Sequence, residues 1–414
     1  MESILKIDKT KIKYNLKKIR KHTNNANIIA VLKANAYGHD AILMAKILED
    51  NNINNFAVAT LEEAVRLRKA NIKGNILIFG ITAFENLDKL TKYNLIQTIH
   101  TYKYYELIKS SKIKIRAHIN IDTGMSRLGF KVDNENYINS LKEINEIIKD
   151  PNINIEGFYT HLYKADDLNI SNQQIKLFDK FKKRLKNDNY IFHVANSLAT
   201  SNKIALKYGY IRIGMLLLGY EDKPLIKLKT IPKLKSNIIS IKDINKGDTV
   251  SYNGTFETKD DMRVAVVNIG YADGIPIEYG KNGYVFINNK RCKIIGRITM
   301  DYLIVDVTNL DVNIFDEVEI FGDNIKIEEV LNKIDIIPHE FFAGLGLRIK
   351  RIKSWVFWNS QYTQLLISYY KSSLYNGILI HLGPPRPLDS SLDFISITLM
   401  PDSFNNLFVI VFLS

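Results

Sequence analysis

Between residues 28 and 214 the chain repeats one pattern eight times, a short apolar run followed by a more polar stretch. The runs fall at 28–32, 56–59, 76–79, 97–101, 113–120, 155–161, 190–195 and 210–214, and segments of helical period such as 61–69, 137–149 and 173–186 separate most of them. A run apolar at nearly every position is buried on both faces, and strands alternating with helices pair in parallel. Eight such units predict a closed (β/α)8 TIM-like barrel over 1–227, preceded by a basic amphipathic helix at 9–23.

After about Lys227 the texture changes to β-type runs at 264–267, 284–287, 292–298, 303–307 and 317–321, set apart by Gly, Asp and Asn, with helix returning at 327–333. A mainly β C-terminal domain over 228–353 is predicted. A third texture starts near Ser354. Both tryptophans and four of the nine prolines lie beyond it, against only Lys371 and Arg386 of the 57 basic residues. Residues 354–414 therefore read as an unrelated tail: an extension of unassigned role, the product of a shifted reading frame, or a disordered segment. Its apolar end at 407–413 is an aggregation hazard if exposed.

Composition narrows the function classes. The net charge of +13 is spread through Ile- and Asn-rich sequence instead of forming a basic stripe with interleaved aromatics, which argues against nucleic acid. The single cysteine, Cys292, excludes an internal disulfide framework. No apolar run reaches the roughly 18 residues of a membrane span. A charged, helix-forming start without a signal-like apolar core points to the cytoplasm. No metal is called for.

The chemistry sits at the strand ends. The first run closes on Lys33, and a lysine held with little water loses its proton readily and forms Schiff bases. Taken alone, Lys33 reads first as a strand-end lysine reaching for solvent, and it is the surrounding residues that reverse that reading. Tyr37 offers a hydroxyl to a phosphate, and His161 an aromatic face for a ring. Asn196 and Ser197 add short polar groups. Arg212 adds a permanent cation, and Gly214 lets backbone N–H groups approach an anion. These residues belong to candidate strands one, six, seven and eight, which a barrel brings to one mouth.

The run Val31-Leu32-Lys33-Ala34-Asn35-Ala36-Tyr37-Gly38-His39 resembles the cofactor-lysine motif of bacterial alanine racemases, fold-type-III pyridoxal-phosphate enzymes. Asp122-Thr123-Gly124-Met125-Ser126-Arg127-Leu128-Gly129, Ala195-Asn196-Ser197, Arg212-Ile213-Gly214, Ser251-Tyr252, Gly270-Tyr271-Ala272-Asp273-Gly274, Gly296-Arg297-Ile298-Thr299-Met300-Asp301 and His339-Glu340 through Arg348-Ile349-Lys350-Arg351 follow in the family's order. The resemblance spans roughly residues 3 to 353.

It implies interconversion of L- and D-alanine, supplying D-alanine for peptidoglycan. Lys33 would carry pyridoxal 5'-phosphate and exchange a proton on one face of the substrate. Tyr252 would be the base on the other face, delivered by the partner in a head-to-tail homodimer. Tyrosine normally titrates near pH 10, so Tyr252 would need hydrogen bonds or nearby positive charge, and His161 is its implied contact. Arg212 would face the pyridine nitrogen and leave it unprotonated, making the ring a weaker electron sink. Tyr37, Asn196, Ser197, Gly214, Met215 and His339 would hold the cofactor. Arg127, Met300 and Asp301 would receive the substrate, with Tyr271 at a narrow entrance.

The chain departs from the family at three places. Asn120 stands where many members carry a carbamylated lysine bracing Arg127, and a chloride is expected to replace that negative charge. His339 replaces a gating tyrosine, and Ile277 replaces an arginine that pairs with the residue matched by Asp166. These changes keep open a broad-specificity amino-acid or serine racemase. A decarboxylase on the same barrel needs no tyrosine opposite the lysine. A non-catalytic pyridoxal-phosphate binder would lack the second domain that carries Tyr252 and Met300. A product inactivated by its tail is the remaining alternative.

Overall fold

The computed structural model describes residues 2–185, 189–220, 225–354, 395–401 and 407–413. An N-terminal strand, β1 (Ile4–Asp8), precedes the eight expected strands: β2 (Asn27–Val31), β3 (Asn55–Val58), β4 (Asn75–Ile78), β5 (Ile96–Ile99), β6 (Ile115–Asp122), β7 (Ile153–Tyr159), β8 (Ile191–Ala195) and β9 (Gly209–Ile213). Strands β2 to β9 pair in parallel in sequence order, and β9 returns to β2, so the barrel closes.

The pleat sorts side chains between two environments. Along β2, Ile28 and Ala30 join the large core shared with the outer helices. Ile29 and Val31 meet Ala57, Leu77 and Ile96 in a separate small cluster. On β6 the outer set is Ile115, Ala117, Ile119 and Ile121, which turns Arg116, His118, Asn120 and Asp122 to the lumen. The lumen is thus apolar along β2–β4 and turns polar from Thr98 of β5 onward through β9. Helix α1 (Lys9–His22) is capped by Asp8, whose Oδ1 accepts the Thr10 and Lys11 N–H groups at 2.8 and 3.2 Å. Its Ile12, Leu16 and Ile19 stripe is buried.

The second sheet is built on β10 (Pro232–Ile244), with β11 (Met262–Val267), β12 (Tyr284–Ile287), β13 (Lys290–Ile295), β14 (Leu303–Asp306) and β15 (Glu317–Phe321). These strands run β10-β11-β14-β13-β12-β15 and back to β10, antiparallel throughout. Against the sequence reading, β10 is the longest strand and no apolar run announced it. Its inward face includes Ser236, whose hydroxyl is satisfied by Ser3 Oγ at 3.0 Å and the Asn268 carbonyl at 2.9 Å.

The start of the chain also differs from the expected helix-forming segment of the barrel. Strand β1 buries Leu5 and Ile7 completely and lies in the second sheet, antiparallel to β10 and parallel to β16 (Lys350–Ser354). Of the tail, Ile395–Pro401 and Leu407–Leu413 form an antiparallel hairpin, in register from Ile395 opposite Leu413. Trp355, Trp358 and most of the composition that marks the tail as foreign lie outside the described residues. No helix among the described residues is long and apolar enough to cross a membrane.

Candidate active site

Strand β2 ends at Val31, and Lys33 projects from the turn that follows into a cavity of about 600 Å³ at the C-terminal mouth of the barrel. That turn is unusual. Ala34, Asn35, Ala36 and Tyr37 hold φ of +50°, +54°, +54° and +51°, four non-glycine residues in succession in the left-handed region. Each costs roughly 1–2 kcal/mol, so surrounding groups must hold the turn. Arg351 Nε donates to the Gly38 carbonyl at 2.9 Å. A Cβ at Gly38 would lie 2.1 Å from the Phe342 carbonyl oxygen, which reserves that position for glycine.

The cavity brings together Lys33, Tyr37, Arg127, His161, Asn196, Ser197, Arg212, Gly214, Met215 and His339, ten of the residues singled out by sequence. Lys33 stays accessible from the mouth. Desolvation and the Arg127 charge nevertheless lower its ammonium pKa, opposed by Glu63. Burial, reinforced by Glu63, pushes Tyr37 up to about 12, so its hydroxyl remains a donor. A Cβ on Gly214 would fall 2.5–2.9 Å from the Tyr37 ring and hydroxyl, while the Gly214 N–H donates to Ser197 Oγ at 3.4 Å. Tyr37, Ser197 and the Gly214 backbone thus form a small polar cradle that suits a phosphate. Asn196 caps the helix Ser197–Ser201 through the Ala199 N–H at 2.9 Å and donates to the Leu162 carbonyl at 3.0 Å. The His339 ring meets Tyr37 edge-on at 5.7 Å.

Arg212 is a buried cation without a carboxylate partner among the described residues. Its Nη2 donates to the Thr160 and Val194 carbonyls at 2.7 and 3.2 Å, and its Nη1 to the His193 carbonyl and to His193 Nδ1 at 3.0 Å. Burial lowers its pKa to about 10, so it is charged at neutral pH. Guanidinium can only donate. His193 therefore carries its proton on Nε2, which points at His118 Nδ1 at 2.9 Å, and His118 carries its own on Nε2, a buried atom without a partner. The column is a one-way chain of donors that ends in the lumen, and the sequence reading assigned no role to His118 or His193. A ring acceptor near Arg212, a phosphate near the cradle and an aldehyde near Lys33 together match pyridoxal phosphate.

Tyr252, Tyr271, Met300 and Asp301 do not line this cavity. Tyr252 starts a 3-10 turn between Ser251 (φ +68°) and Asn253 (φ +62°) and is 67% exposed. Ser251 Oγ donates to the Arg297 carbonyl at 2.6 Å, the Tyr271 N–H to Thr299 O at 3.0 Å and the Ala272 N–H to Met300 O at 3.0 Å. These three loops make one surface that exposes Tyr252, Tyr271, Met300 and Tyr302. Arg348, unassigned from sequence, bridges Asp301 at 2.7 Å and Asp273 at 3.1 Å and so fixes two of the loops. Arg127 is exposed in the single chain. Asn120 spends its amide on the Leu128 carbonyl at 2.8 Å and on His100 Nδ1 at 3.4 Å.

Burial disfavours the charged form of four histidines in and around the site. It lowers His39 to about 4 and His118 and His161 to about 3, with Arg212 adding to the last two, and it holds His193 well below its ordinary value. Below pH 6.5 the unfolded chain binds protons that the folded chain refuses, so stability falls as pH falls. The expected loss at pH 5 is about 2 kcal/mol for each of His39, His118 and His161 in the apoprotein. Equal urea midpoints at pH 7 and pH 5 would contradict it.

The alanine racemase N-terminal domain model matches residues 7–222, and the C-terminal domain model matches 231–353. The chain is 36% identical over 360 residues to the alanine racemase of Fusobacterium nucleatum subsp. nucleatum, covering 85% of this chain and 99% of that protein. Among solved structures, alanine racemase of Clostridium difficile 630 matches with a TM-score of 0.79 at 30% identity, over 86% of this chain and 96% of that one. The Bartonella henselae alanine racemase, solved with covalently bound pyridoxal phosphate, matches with a TM-score of 0.73 at 29% identity, over 86% of this chain and 100% of that one. On this evidence, and with a cavity whose residues suit that cofactor, the chain belongs to the alanine racemase family of pyridoxal-phosphate enzymes that interconvert the enantiomers of alanine.

Proposed function

We propose that the chain works as a cytoplasmic head-to-tail homodimer that supplies D-alanine for peptidoglycan, with Lys33 and Tyr252 as its two bases. One observation carries this reading. The cavity holds Lys33 but not Tyr252, which stands exposed on a surface of tied loops elsewhere in the same chain. Inverting a carbon needs proton transfer on both of its faces, which two separate groups provide. A neighbouring copy that sets its Tyr252 loop over this mouth supplies the second, and Tyr271, Met300 and Asp301 arrive with it.

When bound, the cofactor draws electrons from the substrate's Cα–H bond. Lys33 Nζ then exchanges the proton on one face and Tyr252 Oη on the other. His161 lies beside Tyr252 in this arrangement. Tyr37, Asn196, Ser197, Gly214, Met215 and His339 hold the phosphate end, and Arg212 donates to the ring nitrogen. Arg127 receives the substrate carboxylate. Seating the partner's loops desolvates Arg127, and a chloride beside Asn120 then supplies the missing counter-charge.

A broader side-chain range is the second reading. The observation favouring it is His339, an imidazole edge-on to Tyr37 where the resemblance leads one to expect a bulkier phenol. The deciding experiment is alanine and serine racemisation by the full chain and by a version ending at Lys353, with pyridoxal phosphate added. Activity on alanine in either form supports the proposal, and turnover of serine at a similar rate supports the second reading. Occupied cofactor without racemisation in both forms refutes both. Repeating the assay with chloride replaced by a large inert anion should lower the rate, and an unchanged rate counts against the chloride.

A further inference from the structure

The left-handed turn after Lys33 is clamped from a neighbouring strand-helix unit. Glu63 Oε1 accepts the Ala34 N–H at 2.6 Å, the first amide after the lysine. The other carboxylate oxygen accepts the Ala59 and Thr60 N–H groups at 2.8 and 3.4 Å, while Thr60 Oγ1 accepts the Glu63 N–H at 3.3 Å. This capping box opens the helix Leu61–Lys69 and prevents the carboxylate from swinging away. One side chain therefore ties the end of β3 to the backbone that carries Lys33.

We propose that Glu63 is the positioning residue of Lys33, fixing the turn through the Ala34 amide and bringing a counter-charge to the backbone that carries the lysine. The proposal rests on Lys33 being the cofactor-bearing amine. Two charged side chains act on Lys33, Arg127 from the loop after β6 and Glu63, and the charge of Lys33 acts in turn on His161 after β7. Glu63 is the carboxylate of the pair. Desolvation and Arg127 favour the free amine, and Glu63 favours the ammonium. Glu63 thereby sets the share of Lys33 that is free to react, and a capping residue with no other task would leave that share unchanged.

The test compares wild type, Glu63→Gln and Glu63→Ala as apoproteins. Competitive acetylation of Lys33 with acetic anhydride across pH is read by mass spectrometry, and exchange of the Ala34 amide is followed in parallel. Glu63→Gln keeps an acceptor for Ala34 and loses the charge. Its Lys33 titration is expected to move to lower pH, with severalfold faster labelling near neutrality and little change in Ala34 exchange. Glu63→Ala should show the same titration shift and lose Ala34 protection as well. An unmoved Lys33 titration in Glu63→Gln overturns the proposal even if Glu63→Ala fails to fold. Borohydride reduction of cofactor-loaded wild type separates the two failures, because a label on a lysine other than Lys33 refutes the site assignment itself.

Discussion

Lys33→Ala is expected to reduce alanine racemisation to background and to abolish covalent retention of pyridoxal phosphate, with the fold intact. The residue combines two tasks that no neighbour can take over. Of the side chains lining the cavity, Lys33 carries the one amine, and Arg127 and Arg212 hold their protons too tightly to substitute. Removing the side chain also removes a cation that sits near Arg127 with its charge partly desolvated, so the apoprotein should melt no lower than wild type. The checks are borohydride reduction followed by peptide mapping, alongside the rate. Residual racemisation well above background, or a label that persists on another lysine, would remove Lys33 from the mechanism.

Tyr252→Phe is expected to keep the cofactor and lose racemisation by about 10²- to 10⁴-fold, the usual contribution of one positioned acid or base. Its exposed position makes a sharper experiment available. Mixing Lys33→Ala with Tyr252→Phe chains should restore activity that neither has alone, because a mixed dimer holds one mouth with an intact lysine from one copy and an intact tyrosine from the other. Random pairing gives about a quarter of the wild-type rate. Absence of recovery from demonstrably mixed dimers would show that Tyr252 acts within its own chain or not at all.

The barrel was legible because its strands are buried on both faces and so stand out as unbroken apolar runs. The strands that organise the second sheet were not. In β1 the apolar Leu5 and Ile7 alternate with charged Lys6 and Asp8 over five residues, and in β10 the inward Ser236 interrupts the apolar period. The same contrast holds within the site. Lys33, Tyr37, Arg212 and the cradle at Ser197 and Gly214 announce themselves as motifs. His118 and His193 become a directed chain only when closure of the barrel brings β6, β8 and β9 around one lumen. Glu63 shows from sequence as the fourth position of a Thr-x-x-Glu cap, a pattern that marks where a helix starts but not what the second oxygen grips. Arg348 lies far along the chain from the two carboxylates it joins.

The order in which the ribosome delivers this chain conflicts with the order in which the lysine turn can be secured. Lys33 emerges early, yet the turn beside it is held by Phe342 and Arg351, and the first strand waits between β10 and β16 for a partner made at residues 350–354. Contacts of such long sequence separation are entropically slow to form. A chain lacking residues 342–354 therefore keeps the Glu63 clamp on the lysine turn but lacks the Arg351 bond to Gly38 and the β16 partner of β1. The last strand of the second sheet thus completes two distant parts of the molecule at once, the turn that carries Lys33 and the sheet that begins at Ile4.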